Sequence, residues 1–425
     1  MRTPILLAAA LAAFAHAAPL AAQADSVALL ARARRLHAQY PLVDGHNDLP
    51  WEIRVRGGSD VVRMSPDGPL PQNNTDVPRL MQGGVGGVFW AAYVPVETMG
   101  HAPGPARVAL EQIDLIHRMV HYSPASMEVA LTADDVVRIH HVRKVAALIG
   151  VEGGHAIENS LGVLRQFYAM GVRYMTLTHT STIDWADAAT DSLRHGGLTR
   201  FGEEVVREMN RMGMLVDLSH VSDGTMSDAI RVSAAPVIFS HSSARALADH
   251  PRNVPDSILV RMQENGGIVM VNFYSGFTEP GAVALARASY GVADSIRALY
   301  PADAAARDRA MDEWRRANPM PRGTLRTIAD HIDYVVKVAG IDHVGYGSDF
   351  DGVTSLPVGL EDVSRFPYLT AELLRRGYSD ADVAKILGGN LLRVMRSAET
   401  VAARIQREHR ASTAVIDQMD GGVVR

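Results

Sequence analysis

The sequence predicts an α/β fold, a (β/α)8 TIM-like barrel carrying a binuclear metal site at the C-terminal ends of its strands. Three observations carry that expectation. Eight short apolar runs, at 42–48, 87–94, 145–152, 172–179, 214–220, 236–241, 267–274 and 343–349, alternate with segments of helical periodicity. Near-continuous apolar runs of this length mark parallel strands buried on both faces. Six of the runs close on an imidazole or a carboxylate: His46 with Asp48, Glu152, His179, His220, His241 and Asp349. Finally, 425 residues with 47% hydrophobic and 21% charged composition suffice to bury the core of such a barrel.

At the N-terminus, Arg2 precedes an apolar stretch over 5–15, and Ala22 and Ala24 precede Asp25. This reads as a signal peptide over 1–24, with a second possible cut after Ala17, and hence as an exported bacterial protein, periplasmic or secreted. The apolar stretch is short for a bilayer span. Residues 25–425 are then expected to form a single catalytic domain. The chain has no cysteine, which excludes disulfides, thiolate zinc sites, a cysteine nucleophile and a lipidated cysteine. Residues 420–425 lack the hydrophobic tail of a lipid anchor, so no membrane anchor is expected. A net charge of -5 with scattered basic residues excludes a nucleic-acid partner.

In the first run, residues two apart on a strand share a face. His46 therefore lies beside Asp48, which makes half of a divalent metal site. A capped turn ahead of Pro50 would explain the same residues taken alone. Residues 57–78, rich in Gly, Pro, Asn and Asp, read as a loop. The glycines of 83–87 precede a strand instead of linking strand to helix, so they indicate tight packing at the barrel entry and not a phosphate loop. The third run ends in Gly150-Val-Glu152-Gly-Gly154, where glycines permit close backbone approach.

Leu161, Leu164 and Tyr168 fall at helical spacing before the stop Gly171, as do Phe201, Val205, Met209 and Met212 before Gly213. The alanine-rich, charged insert at 279–321 predicts solvated helices over the barrel mouth. Two closing helices are expected at 370–376 and 379–394, the second opened by a capping box, Ser379-x-x-Asp382.

Active sites of such barrels lie at the carboxyl ends of the strands. Each histidine taken singly reads as a satisfied core residue or a cap. Six strands ending alike point to divalent cations held by nitrogen and oxygen. A zinc site takes three protein ligands plus water, so five or six candidates suit two ions about 3.5–4 Å apart. Glu152 would bridge them, with His46 and Asp48 on one and His220 and His241 on the other. Water between the ions would be acidified from a pKa of about 15.7 towards about 7, which makes a hydrolase. Asp349 is placed to carry its proton to the leaving group, while Asp351 reads as structural. His179 suits an oxyanion contact. Arg252, after the sixth run, suits a substrate carboxylate gripped at two points, against the plain reading of an exposed charge.

Seven pieces occur in order: Asp44-Gly-His46-Asn-Asp48-Leu-Pro, Gly150-Val-Glu152-Gly-Gly-His155, Tyr174-Met-Thr-Leu-Thr-His179, Val216-Asp-Leu-Ser-His220, Phe239-Ser-His241-Ser-Ser243, Arg252-Asn-Val-Pro-Asp256 and Gly347-Ser-Asp349-Phe-Asp-Gly352. With these the chain resembles, over about 38–396, the membrane (renal) dipeptidase family, binuclear zinc metallopeptidases of the amidohydrolase type. The resemblance implies two zinc ions per chain and cleavage of dipeptides with free termini by a metal-bridging hydroxide. It implies His46 and Asp48 on one zinc, Glu152 bridging, and His220 and His241 on the other. Asp349 becomes general acid/base, His179 the substrate and oxyanion contact, and Arg252 the carboxylate clamp. A homodimer is implied too, and the missing cysteines require it to be non-covalent. Mammalian members carry disulfides and a lipid anchor, which this chain lacks, and the 279–321 insert leaves substrate preference open. Two other readings stand beside this one: a binuclear amidohydrolase acting on a cyclic amide or ester, and a non-catalytic metal-binding barrel.

Overall fold

Apolar runs too continuous to leave a face for water can be buried only between two layers, and the strands they form close on themselves. The computed structural model describes residues 25–301 and 303–421; the signal peptide expected at 1–24 lies outside the described residues. Its strands are β1 (Leu42–Asn47), β2 (Val85–Tyr93), β3 (Met127–Val129), β4 (Val145–Glu152), β5 (Val172–Thr176), β6 (Leu215–Asp217), β7 (Ile238–Phe239), β8 (Ile268–Val271) and β9 (Val344–Tyr346). All pairings between them are parallel. β2 pairs with β4 from Gly87↔Ala146 to Tyr93↔Glu152, and β1 pairs with both β2 and β9, so eight strands form a closed ring. The ninth, β3, lies outside that ring against 145–147 of β4. The sequence reading did not contain it, because three residues are too few to show a period.

Alternate strand residues separate into two apolar clusters, as the two-residue period requires. Trp90, Ala147, Ile149 and Val151 pack with helix residues such as Leu164, Phe167 and Phe201. Phe89, Ala146, Leu148, Ile238 and Met270 belong to the second cluster, with Leu391 and Val394 of the closing helix. Each large side chain buried this way stabilises the fold by roughly 1.5–3 kcal/mol.

The helix Arg200–Met212 begins where the Thr199 side chain accepts from Gly202 N–H and ends at Gly213, whose φ of 87° only glycine adopts freely. The capping box at Ser379 and Asp382 is present. That helix continues through a π turn at Lys385–Gly389 into Asn390–Glu408, well beyond the expected end at 394. Gly86 carries the tight entry to β2: a Cβ there would lie 2.8 Å from Pro41 and from the His140 ring. The insert forms two helices, Val283–Leu299 and Ala304–Ala317. Arg297 pairs with Glu97, beyond the end of β2, at 3.0 Å.

The seam between β1 and β9 is short, with Asp44↔Tyr346 its one register pair. The Asp44 carboxylate reinforces it, accepting from Ser348 N–H at 2.8 Å and from Ser348 Oγ at 2.5 Å. No helix among the described residues is long and apolar enough to cross a membrane.

Candidate active site

Most of the candidate side chains are carried by the turns just beyond the strands. His46 is still in β1, whereas Asp48 has left it with φ -101° and caps the next helix without a side-chain bond. The shared strand face expected for the pair is therefore not what joins them. The chain turns, and Asp48 Oδ2 comes back to 3.2 Å from His46 Nε2. His220 and Asp349 sit at φ 71° and 64°, a left-handed backbone that costs a non-glycine residue of the order of 1–3 kcal/mol and is found where function holds it.

Glu152, the last residue of β4, is the centre of the group. Its Oε2 lies 3.5 Å from His46 Nε2. Its Oε1 lies 3.1 Å from His220 Nε2, 3.5 Å from His241 Nε2 and 3.8 Å from His179 Nε2. Ligand atoms converge in three sets: His46, Asp48 and Glu152; Glu152, His220 and His241; and His46, His241 and Asp349. Burial alone would raise the Glu152 carboxyl, but His46, His179 and bonds from His220 and His46 hold it well below the usual range. Burial, with Arg252 nearby, pushes the His220 imidazole far down; burial and the neighbouring His46 do the same to His241. Asp349 is pushed up to about 7 by burial and by Asp48 and Glu152, against the pull of His46.

Support residues fix which ring nitrogens face inward. Ser240 Oγ donates to Asp217 Oδ2 at 2.6 Å, so it accepts from His241 Nδ1 at 2.7 Å and leaves the Nε2 lone pair bare. That lone pair meets His220 Nε2 at 2.9 Å beside Glu152 Oε1. His46 Nδ1 is held by the Tyr174 hydroxyl at 2.7 Å, and its buried Nε2 has no hydrogen-bond partner. Tetrahedral coordination at bond lengths near 2.0–2.1 Å places ligand atoms about 3.3 Å apart. The spacings of 3.1, 3.2 and 3.5 Å found here match that figure, and nitrogen with carboxylate oxygen suits a zinc-like ion. The residues present fit a divalent metal.

Asp349 is oriented by Asn272, whose Nδ2 donates to Oδ2 at 2.8 Å. Asp351 faces away: its Oδ1 accepts from Asn74 N–H at 2.7 Å and Asn73 Nδ2 at 3.1 Å, holding the 72–74 loop. The reading of Arg252 as an exposed charge does not hold, since it is 1% exposed. Its Nη1 and Nη2 reach Ser242 Oγ and the His241 carbonyl only at 3.5 and 3.4 Å, and its Nε is unpartnered. The guanidinium lies 5.2 Å from the Phe277 ring centre. His179 stands at the outer edge with its ring 4.9 Å from Tyr93. His179 and Tyr93 line a cavity of about 1140 Å³, walled further by Tyr274, Tyr290, Arg297 and Trp314.

Four contributors were not picked out in the sequence: Tyr174, Asp217, Ser240 and Asn272. All four are polar or hydroxyl-bearing residues inside apolar runs, which was the available signal. Gly150 is explained through one of them. A Cβ there would lie 2.0 Å from the Tyr174 ring, so the glycine makes room for the support of His46 and not for a close approach to an ion.

The family model described as Membrane dipeptidase (Peptidase family M19) matches residues 30–409. Dipeptidase 3 of Rattus norvegicus is 41% identical over 375 residues, which is 87% of this chain and 67% of that protein. Dipeptidase verJ of Clonostachys rogersoniana is 41% identical over 394 residues, 89% of each chain. Among solved structures, the probable dipeptidase PvdM from Pseudomonas aeruginosa superposes with a TM-score of 0.73 at 27% identity, covering 88% of this chain and 99% of that one. A metallo peptidase from Rhodobacter sphaeroides, solved with a phosphinate mimic of the dipeptide L-Ala-D-Ala, gives 0.68 at 25% identity, covering 84% and 99%.

Proposed function

The chain belongs to the membrane dipeptidase family, an enzyme family of metallopeptidases, and we propose that it is a zinc dipeptidase acting on dipeptides with a free C-terminal carboxylate. The observation that carries this reading is the position of Glu152, with one oxygen toward His46 and Asp48 and the other toward His220 and His241, all at ligand spacing.

His46 and Asp48 would hold one zinc ion, His220 and His241 the other, with Glu152 shared. When bound, such a pair supplies the Lewis acidity that makes water a nucleophile at neutral pH. Arg252 fixes the substrate carboxylate; a buried guanidinium with no carboxylate in ion-pair range among the described residues favours an anionic ligand. His179, at the rim beside Tyr93, donates to the carbonyl oxygen as negative charge develops on it. Asp349 accepts the proton of the attacking water at Oδ1, since Asn272 holds Oδ2, and returns it to the departing amine nitrogen. A carboxyl brought to about 7 by burial is matched to both halves of that transfer.

The phosphinate dipeptide mimic bound by the Rhodobacter sphaeroides relative supports the substrate class. Arg252 favours this reading over a cyclic amide or neutral ester, and the complete donor set favours it over a non-catalytic barrel. The proposal includes export after removal of 1–24 and a non-covalent homodimer. The test is hydrolysis of a panel of L,L and L,D dipeptides by the purified protein, before and after chelation, with metal content measured in parallel. Cleavage abolished by chelator and two zinc equivalents per chain are expected. A metal-replete protein that cleaves no dipeptide sinks the proposal.

A further inference from the structure

The insert brings one side chain to the candidate site that nothing so far assigns. On the helix Val283–Leu299, Arg287, Tyr290 and Arg297 recur at spacings of three and seven, which places them on one face. The two arginines pin that face to the barrel: Arg297 to Glu97 at 3.0 Å and Arg287 to Asp249 at 3.4 Å. Between these anchors Tyr290 lines the cavity. Its ring lies 6.0 Å from that of His250, whose Nδ1 accepts from Arg252 N–H at 3.1 Å. The helix thus holds a phenol beside the ring that bonds the backbone of Arg252.

We propose that Tyr290 is a second ligand of the substrate's C-terminal carboxylate, acting with Arg252, so that the insert completes the substrate site. The inference rests on the dipeptidase reading above and adds a residue to it.

A carboxylate offers about four lone-pair positions, and one guanidinium edge occupies two. A neutral O–H donor suits those that remain. Among the described residues the Tyr290 hydroxyl makes no hydrogen bond, so it is free to serve. Burial and nearby Asp349 push its pKa up to about 12 against the pull of Arg252, so the phenol keeps its proton at neutral pH. Its place on the cavity wall, beside the His250 ring that bonds the Arg252 backbone, sets it toward the carboxylate end of a bound dipeptide.

The test is Tyr290→Phe in the full, zinc-loaded chain, with two readouts. Calorimetry compares a phosphinate dipeptide mimic with its C-terminal amide, and steady-state kinetics follow a cleaved dipeptide. The dissociation constant of the free acid is expected to rise tenfold or more, while that of the amide changes less than twofold. KM for the dipeptide should rise in parallel with kcat within twofold, and in an Arg252→Met background the same change should add less than twofold. An unchanged affinity for the acid, or an equal loss for acid and amide, overturns the proposal. Wild-type protein that cleaves no dipeptide overturns instead the function on which it rests; wild-type activity with an indifferent Tyr290→Phe overturns only this inference.

Discussion

Arg252→Met separates binding from folding at the proposed substrate site. In the folded protein the guanidinium is 1% exposed, its two hydrogen bonds are 3.4 and 3.5 Å long, and Nε has no partner. Bonds of that length contribute little, whereas a buried cation costs several kcal/mol to desolvate. Burial accordingly pulls the Arg252 pKa below its ordinary value. Methionine fills similar volume without the charge, so the unfolding midpoint should not fall and is expected to rise. Against substrate the sign reverses. A charge-assisted bond contributes roughly 1.5–3 kcal/mol, and two bonds to one carboxylate lose at least about 3 kcal/mol, or a hundredfold or more in kcat/KM. The assay is kcat/KM for a dipeptide beside that for its neutral C-terminal ester, with a melt of the same metal-loaded preparations. Equal losses on both substrates with a lower midpoint would show that Arg252 holds the fold and not the substrate.

Glu152→Ala should lose both ions, because one carboxylate faces both ligand sets; elemental analysis returning two equivalents per chain contradicts the bridge. Asp217→Asn weakens the relay through Ser240 to His241 and should lower metal affinity about 10–100-fold, read by competition with a chromophoric chelator; unchanged affinity refutes the relay. Burial pushes His37 and His331 down to about 4 from 6.5. Both stay neutral in the fold, bonded to Gly83 and Thr370 and to Ala244 and Thr278. The unfolded chain takes up their protons first, so this stability is complete above pH 6.5 and is lost as pH falls through about 4. Each contributes about 3 kcal/mol. Denaturant titration of His37→Gln should show a shallower decline from pH 7 to 4 than wild type; parallel curves refute the assignment.

The barrel was legible because its strands are apolar on both faces, and the candidate site residues because each ends or follows such a run. β3 was invisible at three residues, and the run at 236–241 yields only two paired residues, since Ser240 and His241 have already turned out of the sheet. His46 and Asp48 were paired for the wrong geometric reason: the chain folds back instead of continuing extended. No local pattern reveals that Arg252 is buried, because its cover includes the Phe277 ring, beyond the next strand. The insert's helices were readable from composition, but the delivery of Tyr290 to the cavity wall depends on contacts between segments far apart in the chain. Tyr174 and Asp217 were recoverable in principle, as polar residues no buried strand would carry without a partner.

The clasp between Asp44 and Ser348 joins the first strand to the turn after the last, and the site residues His46 and Asp349 flank it on either side. Some three hundred residues must be synthesised between one jaw and the other. A nascent chain therefore offers no finished site until its final strand has docked. Assembly of the site becomes the concluding event of the barrel's closure.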